Sequence, residues 1–217
     1  MIKIFVLHYA KLTSRKQHIL KQFKNHGIHD FEFIELFDKK NITVENCPPF
    51  DKKYIMNRPG ELSLHLKHFY VYHLIVKRNI NEALIFEDDV VLCDGFMNKL
   101  TEYMTQLPSN YDMLFLGDGC SLHIPSNELV PKQYIYKKNV DTGDEGNRGA
   151  TRCTDSYVIH NRCAKKLCDY ITTKRNITLP IDWWLNIAAR DINMDVYWGE
   201  PTIVTQGSQK GLFSRSL

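Results

Sequence analysis

No stretch of this 217-residue chain is apolar for long enough to cross a membrane or act as a secretory signal; the opening Met1-Ile2-Lys3-Ile4-Phe5-Val6-Leu7 is too short for either. A cytoplasmic location without a membrane span is therefore expected. Basic blocks and nucleic-acid-binding motifs are missing too, and 28 Lys and Arg against 25 Asp and Glu leave a net charge of only +3. No nucleic-acid partner is expected from that balance. The six cysteines never fall in a Cys-x-x-Cys spacing, which argues for reduced thiols over a disulfide framework or a zinc site. Repeats and low-complexity tracts are absent as well. What remains is an ordinary globular composition, 43% hydrophobic and 24% charged, sized for a single domain over residues 1–217.

Strand-like and helix-like segments alternate along the chain. Residues 2–7 predict a short buried strand, and Thr13-Ser14-Arg15-Lys16-Gln17 a capped helix start, with Ser14 three residues before Gln17. Gly27 ends that helix and residues 31–37 return as a strand. A polar excursion carrying Pro48, Pro49 and Pro59 leads into a long helix over residues 60–78. Strands follow at 83–86, 113–116 and 155–160, with helices at 95–107, 162–174 and 181–189. Residues 119–149 are expected to be a mobile loop region, with 134–138 as a possible strand inside it. The alternation implies an α/β fold with a mostly parallel sheet, whose ligands gather at the carboxyl ends of its strands. Asp89 and Asp118 would then share one rim.

Glu87-Asp88-Asp89 is the most informative cluster, because it follows the apolar run Ala83-Leu84-Ile85-Phe86 and precedes Val90, Val91 and Leu92. Three adjacent carboxylates interrupting a core segment repel one another and call for a cation. A hard divalent ion, Mn²⁺ or Mg²⁺, is the usual solution and can also take the oxygens of a substrate diphosphate. An acidic turn capping the next element is the plain alternative.

Three further groups could carry chemistry. Glu61 and His68 lie seven residues apart, hence on one helix face, and could line a pocket or be a surface pair and a core histidine. In Pro180-Ile181-Asp182-Trp183-Trp184-Leu185 the acid is either a helix N-cap or a base that takes a hydroxyl proton beside an aromatic sugar platform. Trp183 and Trp184 cannot both face the same way. The tail from Glu200 to Lys210 moves from a strand-like run into a polar loop, either a frayed terminus or a loop that closes over a diphosphate with Lys210 and Arg15 neutralising it.

Taken in order, these segments resemble glycosyltransferase family 25, the group of lipooligosaccharide biosynthesis enzymes and collagen galactosyltransferases. The matching parts are the first strand with Arg15, Gly60-Glu61 with His68 and Tyr72, the run from Ala83 to Val90, Asp155-Ser156-Tyr157-Val158-Ile159, Pro180 to Leu185, and Pro201 to Gln206 with Ser208. Lys67 stands where the family commonly has Ser, and His8-Tyr9 where it has Asn-Leu. The resemblance implies a single nucleotide-sugar-binding domain of the GT-A type. It also implies inverting, metal-dependent transfer of a hexose, galactose or glucose, from a UDP-sugar to a hydroxyl acceptor on a glycan or protein.

Under that resemblance Asp89 and Glu87 hold Mn²⁺ (or Mg²⁺), with Gln206 a candidate further ligand. Arg15, Glu61, His68, Asp88 and Lys210 contact the donor, Trp183 and Trp184 the acceptor. Asp182 is the candidate base, with Asp155 in reserve. Two other readings stay open: a catalytically silent homologue that binds a nucleotide-sugar or glycan, and a phosphohydrolase using the same acids.

Overall fold

The computed structural model describes residues 2–43, 47, 49–141 and 149–214. Strands β1 (Lys3–Leu7), β2 (Phe31–Ile34), β3 (Glu82–Glu87), β5 (Met113–Phe115), β6 (Ile135–Lys138), β7 (Ser156–His160) and β8 (Val196–Gly199) form one seven-stranded sheet. Its order is β2-β1-β3-β7-β5-β8-β6. Parallel pairing joins β2, β1 and β3, and again β5 and β8, while β7 runs antiparallel between β3 and β5, and β6 antiparallel at the edge. Five of the seven strands therefore point the same way, the mostly parallel mixed α/β sheet that the alternation predicts. A separate hairpin-like pair joins β4 (Val90–Leu92) to β9 (Val204–Gln206), which pins the C-terminal segment beside the acids.

Helices cover both faces of the large sheet. Along β1 the period of two sends Ile4 and Val6 to one side, where α1 (Thr13–Asn25) and α4 (Phe96–Gln106) bring Ile19, Phe23, Phe96 and Leu100. Phe5 and Leu7 point to the other side, against α2 (Lys52–Asn57), α3 (Pro59–Lys77), α5 (Asn161–Thr173) and α6 (Ile181–Asp191). Both layers are apolar, so strands read as continuous hydrophobic runs.

Local details differ from the sequence reading where tertiary partners intervene. The expected box on Ser14 does not form: α1 begins after Leu12 with no side-chain cap, and Arg15 in its first turn is drawn inward by Asp88, the residue just after β3. Asp51, by contrast, caps the unforeseen α2 by accepting the amide N–H groups of Lys53 and Tyr54 at 2.8 and 3.1 Å. Strand β8 and the β4–β9 pair were also not foreseen. Of the loop region 119–149, the described part holds short 3₁₀ turns at Gly119–Ser121 and Ser126–Glu128 and the strand β6, while 142–148 lie outside the described residues.

Candidate active site

The carboxyl ends of β1, β3 and β5 open on one edge of the sheet. Because β7 runs in reverse, its amino end arrives at the same edge, and the amide of Glu87 donates to the carbonyl of Asp155 at 2.8 Å. A cleft of about 780 Å³ lies over this edge, a size within the range of ligand sites. Leu7 to Tyr9 at the end of β1, Glu87 to Asp89 at the end of β3, the start of α3 and the start of α6 contribute to its walls.

The three acids have different surroundings. Asp88 is buried and fully engaged: Arg15 donates to Oδ1 at 2.7 Å, His8 Nδ1 lies 2.8 Å from Oδ2, and the amide of Tyr9 donates at 3.3 Å. Burial alone would favour its neutral form, but those bonds outweigh it and hold its carboxyl below the usual value. Glu87 goes the opposite way. Burial first, then the charges of Asp89 and Asp155, push it well above the ordinary carboxyl range, although Thr154 donates to its Oε1 at 2.9 Å.

Asp89 lies 3.7 Å from the Arg15 guanidinium and receives one long amide bond from Ser208 at 3.4 Å. Its Oδ1 is buried with no hydrogen-bond partner among the described residues, and the same is true of Oδ1 of Asp118 and of Asp155. Asp155 is completely buried, bonded by Ser156 at 2.8 Å, and raised to about 7 by burial, with Asp89 and Asp118 adding to the effect. Gly117 lies directly against it, since a Cβ there would sit 1.9 Å from Asp155 Oδ2.

Orphaned carboxylate oxygens that repel one another fit a cation. Among the described residues, however, no group of three His, Cys, Asp or Glu side chains converges to hold a metal alone. An ion at Asp89 and Glu87 would therefore take most of its shell from water and ligand oxygens, as Mg²⁺ and Mn²⁺ sites at phosphates commonly do. Gln206 lines the same cleft at the end of β9, where Gln209 donates to its Oε1 at 2.6 Å.

The structure separates several residues that sequence spacing grouped. Glu61 lines the cleft, held by Arg58 at 2.9 Å and by the Tyr54 hydroxyl at 3.4 Å. His68 does not. It is fully buried beneath β7, its Nδ1 lies 2.6 Å from the Tyr157 hydroxyl, and burial drives its pKa down to about 3, so it is a neutral core group and not a donor contact.

Trp184 is corrected likewise. At 4% exposure it packs on His65, Phe69 and Tyr170, whereas Trp183, at 43%, faces the cleft. Asp182 lines the cleft in the first turn of α6, accepts the Trp183 amide at 3.0 Å, and has its pKa raised by burial and secondarily by Glu61. The cap position of that helix belongs to Pro180. Asp155 stands behind the wall. Arg15 lines the cleft, yet its guanidinium is already spent on Asp88 and on the carbonyl of Ser214 at 2.8 Å. Lys210 pairs with Asp118 at 3.0 Å and so sits beside the acids without facing the cleft.

Sequence reasoning missed Thr154 and gave no role to His8 or to the buried Lys67, which it marked only as departures from the family pattern. Lys67 also lines the cleft, and its ammonium donates to Asp38 at 3.0 Å and to the carbonyls of Ile34 and Leu36, so it ties the segment after β2 to α3. His8 could have been found from its place one residue beyond a parallel strand. Thr154 could not, because only the reversed direction of β7 brings it to this edge.

The fold and the cleft define a mixed α/β protein with an acidic cluster at the strand ends of its mostly parallel sheet. Sequence comparison narrows the class: the profile of glycosyltransferase family 25 (LPS biosynthesis protein) matches residues 1–185, and the chain belongs to that family. A procollagen lysyl hydroxylase and glycosyltransferase of Acanthamoeba polyphaga mimivirus is 27% identical over 183 residues, covering 76% of this chain and 19% of that protein. A glycosyltransferase 25 family member of Aedes aegypti is 21% identical over 202 residues, covering 85% of this chain and 30% of that protein. The chain thus spans less than a third of the length of these relatives.

Among solved structures, a glycosyltransferase involved in the glycosylation of the major capsid of PBCV-1 aligns over 93% of this chain and 94% of its own, with a TM-score of 0.46 and 11% identity. No helix among the described residues is long and apolar enough to cross a membrane.

Proposed function

We propose that the cleft transfers a hexose, galactose or glucose, from a UDP-sugar to a hydroxyl of a glycan or protein, with inversion at the anomeric carbon. One observation carries the reading: Oδ1 of Asp89 is buried without a hydrogen-bond partner in a cleft that is also lined by Asp182 and Trp183. Glu87 and Asp89 would hold Mn²⁺ or Mg²⁺. When bound, the ion would supply Lewis-acid stabilisation of the diphosphate. The Arg15–Asp88–His8 cluster keeps those acids in place by fixing the end of β3 against β1 and α1.

Asp182 would accept the acceptor proton. It faces the cleft, and its raised pKa moves it toward the range in which a carboxylate is an effective base. Asp155 is sealed from the cleft, so it is the weaker candidate. Trp183 offers an apolar face for a sugar ring beside Asp182. The Arg58–Glu61 pair, on the same wall, offers charged and carboxylate contacts for donor hydroxyls.

The test is UDP release from a panel of UDP-sugars with and without Mn²⁺ and acceptors. Asp89→Asn should abolish metal-dependent turnover and remove any rise in Tm on adding Mn²⁺, while the folded fraction stays that of the wild type. Full activity of Asp89→Asn, or free phosphate released from simple esters in place of UDP, would overturn the assignment.

A further inference from the structure

Two thiols meet in the wall of the cleft. Cys120 follows Gly119 after β5, Cys153 precedes Thr154 before β7, and their Sγ atoms are 3.6 Å apart although the residues are 33 apart in the chain. Both line the main cleft, and both line a recess of about 40 Å³ with Leu122, Thr151, Asp182 and Trp183. The approach is built into the backbone. A Cβ on Gly119 would stand 2.5 Å from Cys153 Cβ and 2.7 Å from its Sγ, so only glycine lets the two segments pass this closely. Cys120 and Cys153 also each hold a positive φ, 55° and 51°, which non-glycine residues rarely adopt.

We propose that Cys120 and Cys153 are a redox modification site, closing reversibly to a disulfide in the wall of the cleft. A disulfide has its sulfurs about 2.05 Å apart, so closure requires the two sulfurs to approach by roughly 1.5 Å. Cys120 is the exposed partner and reacts first. Its thiolate attacks one sulfur of a low-molecular-weight disulfide such as glutathione disulfide, breaking that bond and releasing one glutathione. Cys153 then attacks the Cys120 sulfur of the mixed disulfide, releasing the second glutathione. Two thiols are oxidised and one disulfide is reduced to two thiols, with both protons carried off by the departing glutathiones. The bond would reshape the recess beside Asp182. On the glycosyl-transfer reading, it would therefore lower acceptor-dependent turnover without lowering UDP affinity.

The folded chain is incubated with glutathione disulfide, alkylated, and examined by intact mass and non-reducing peptide mapping. Expected are loss of two hydrogens, a peptide linking Cys120 to Cys153, and reversal by dithiothreitol. Cys153→Ser should instead stop at a glutathione adduct on Cys120, and Cys120→Ser should give no link. Failure of the folded wild type to yield the 120–153 peptide, or linkage through another cysteine, overturns the proposal, and the mapping needs neither variant nor activity. Turnover of the fully linked protein, equal to that of the reduced form, would refute the effect on transfer. A protein inactive in both states but correctly linked would instead count against the transferase reading alone.

Discussion

Replacing Arg15 by methionine separates a structural cation from a substrate clamp. Arg15 and Asp88 are both nearly excluded from solvent, with side-chain exposures of 6% and 7%, and their contact is 2.7 Å. Removing one member of such a pair leaves a buried carboxylate short of a partner and costs about 3–5 kcal/mol. The bond of Arg15 to the Ser214 carbonyl is lost with it. For a chain of this length each kcal/mol lowers Tm by about 2–4 °C, so the variant should melt about 10 °C below the wild type without any ligand present. Arg15→Met combined with Asp88→Leu should recover only part of that loss: the unpaired carboxylate is gone, but His8 Nδ1 and the Tyr9 amide lose their acceptor. Differential scanning calorimetry of the four proteins closes the cycle. A single variant that melts with the wild type but binds UDP poorly would refute the structural role and make Arg15 a free diphosphate ligand.

For Asp182→Asn the expected result is a fall in kcat of about 10²–10⁴-fold with UDP affinity, measured by calorimetry, unchanged. Loss of Tm with specific activity preserved would reduce Asp182 to a support for the start of α6. Trp184→Ala should destabilise by about 3–5 kcal/mol in urea unfolding through the cavity it leaves, whereas Trp183→Ala should leave stability nearly unchanged and raise the acceptor KM. His68 has a pKa depressed to about 3, so the unfolded state binds its proton more readily. Its contribution to stability falls as pH drops below about 6.5, by roughly 1.4 kcal/mol per pH unit. Glu87 and Asp155, with raised pKa values, act in the opposite sense. The checkable quantity is thus the difference between wild type and His68→Asn, which should narrow by about 2 kcal/mol between pH 6.5 and pH 5; parallel stability curves would refute it.

Much of the site was legible because it is local. The three acids after Phe86 had to lie at a strand end, and a strand end in an α/β sheet is where ligands collect. The seven-residue spacing of Glu61 and His68 correctly put them on one face of α3, but a face two turns long can begin at a cleft and end under a sheet. The Trp183-Trp184 pair presented the same difficulty, since adjacent helical residues diverge and only packing against His65 and Phe69 decides which one is core.

The residue order by itself determined most of the strand and helix sequence, α2, β4 and β8 excepted, together with the apolar strands and the carboxylate cluster, since periodicity and like-charge repulsion act between near neighbours. Tertiary structure alone decided that β7 enters in reverse between β3 and β5, bringing Thr154 and Asp155 to the acidic edge. It alone decided that Arg15 and His8 are committed to Asp88, and that two cysteines distant in sequence touch. These are outcomes of strand order and helix docking, where the free energy depends on partners whose distance no sequence window contains.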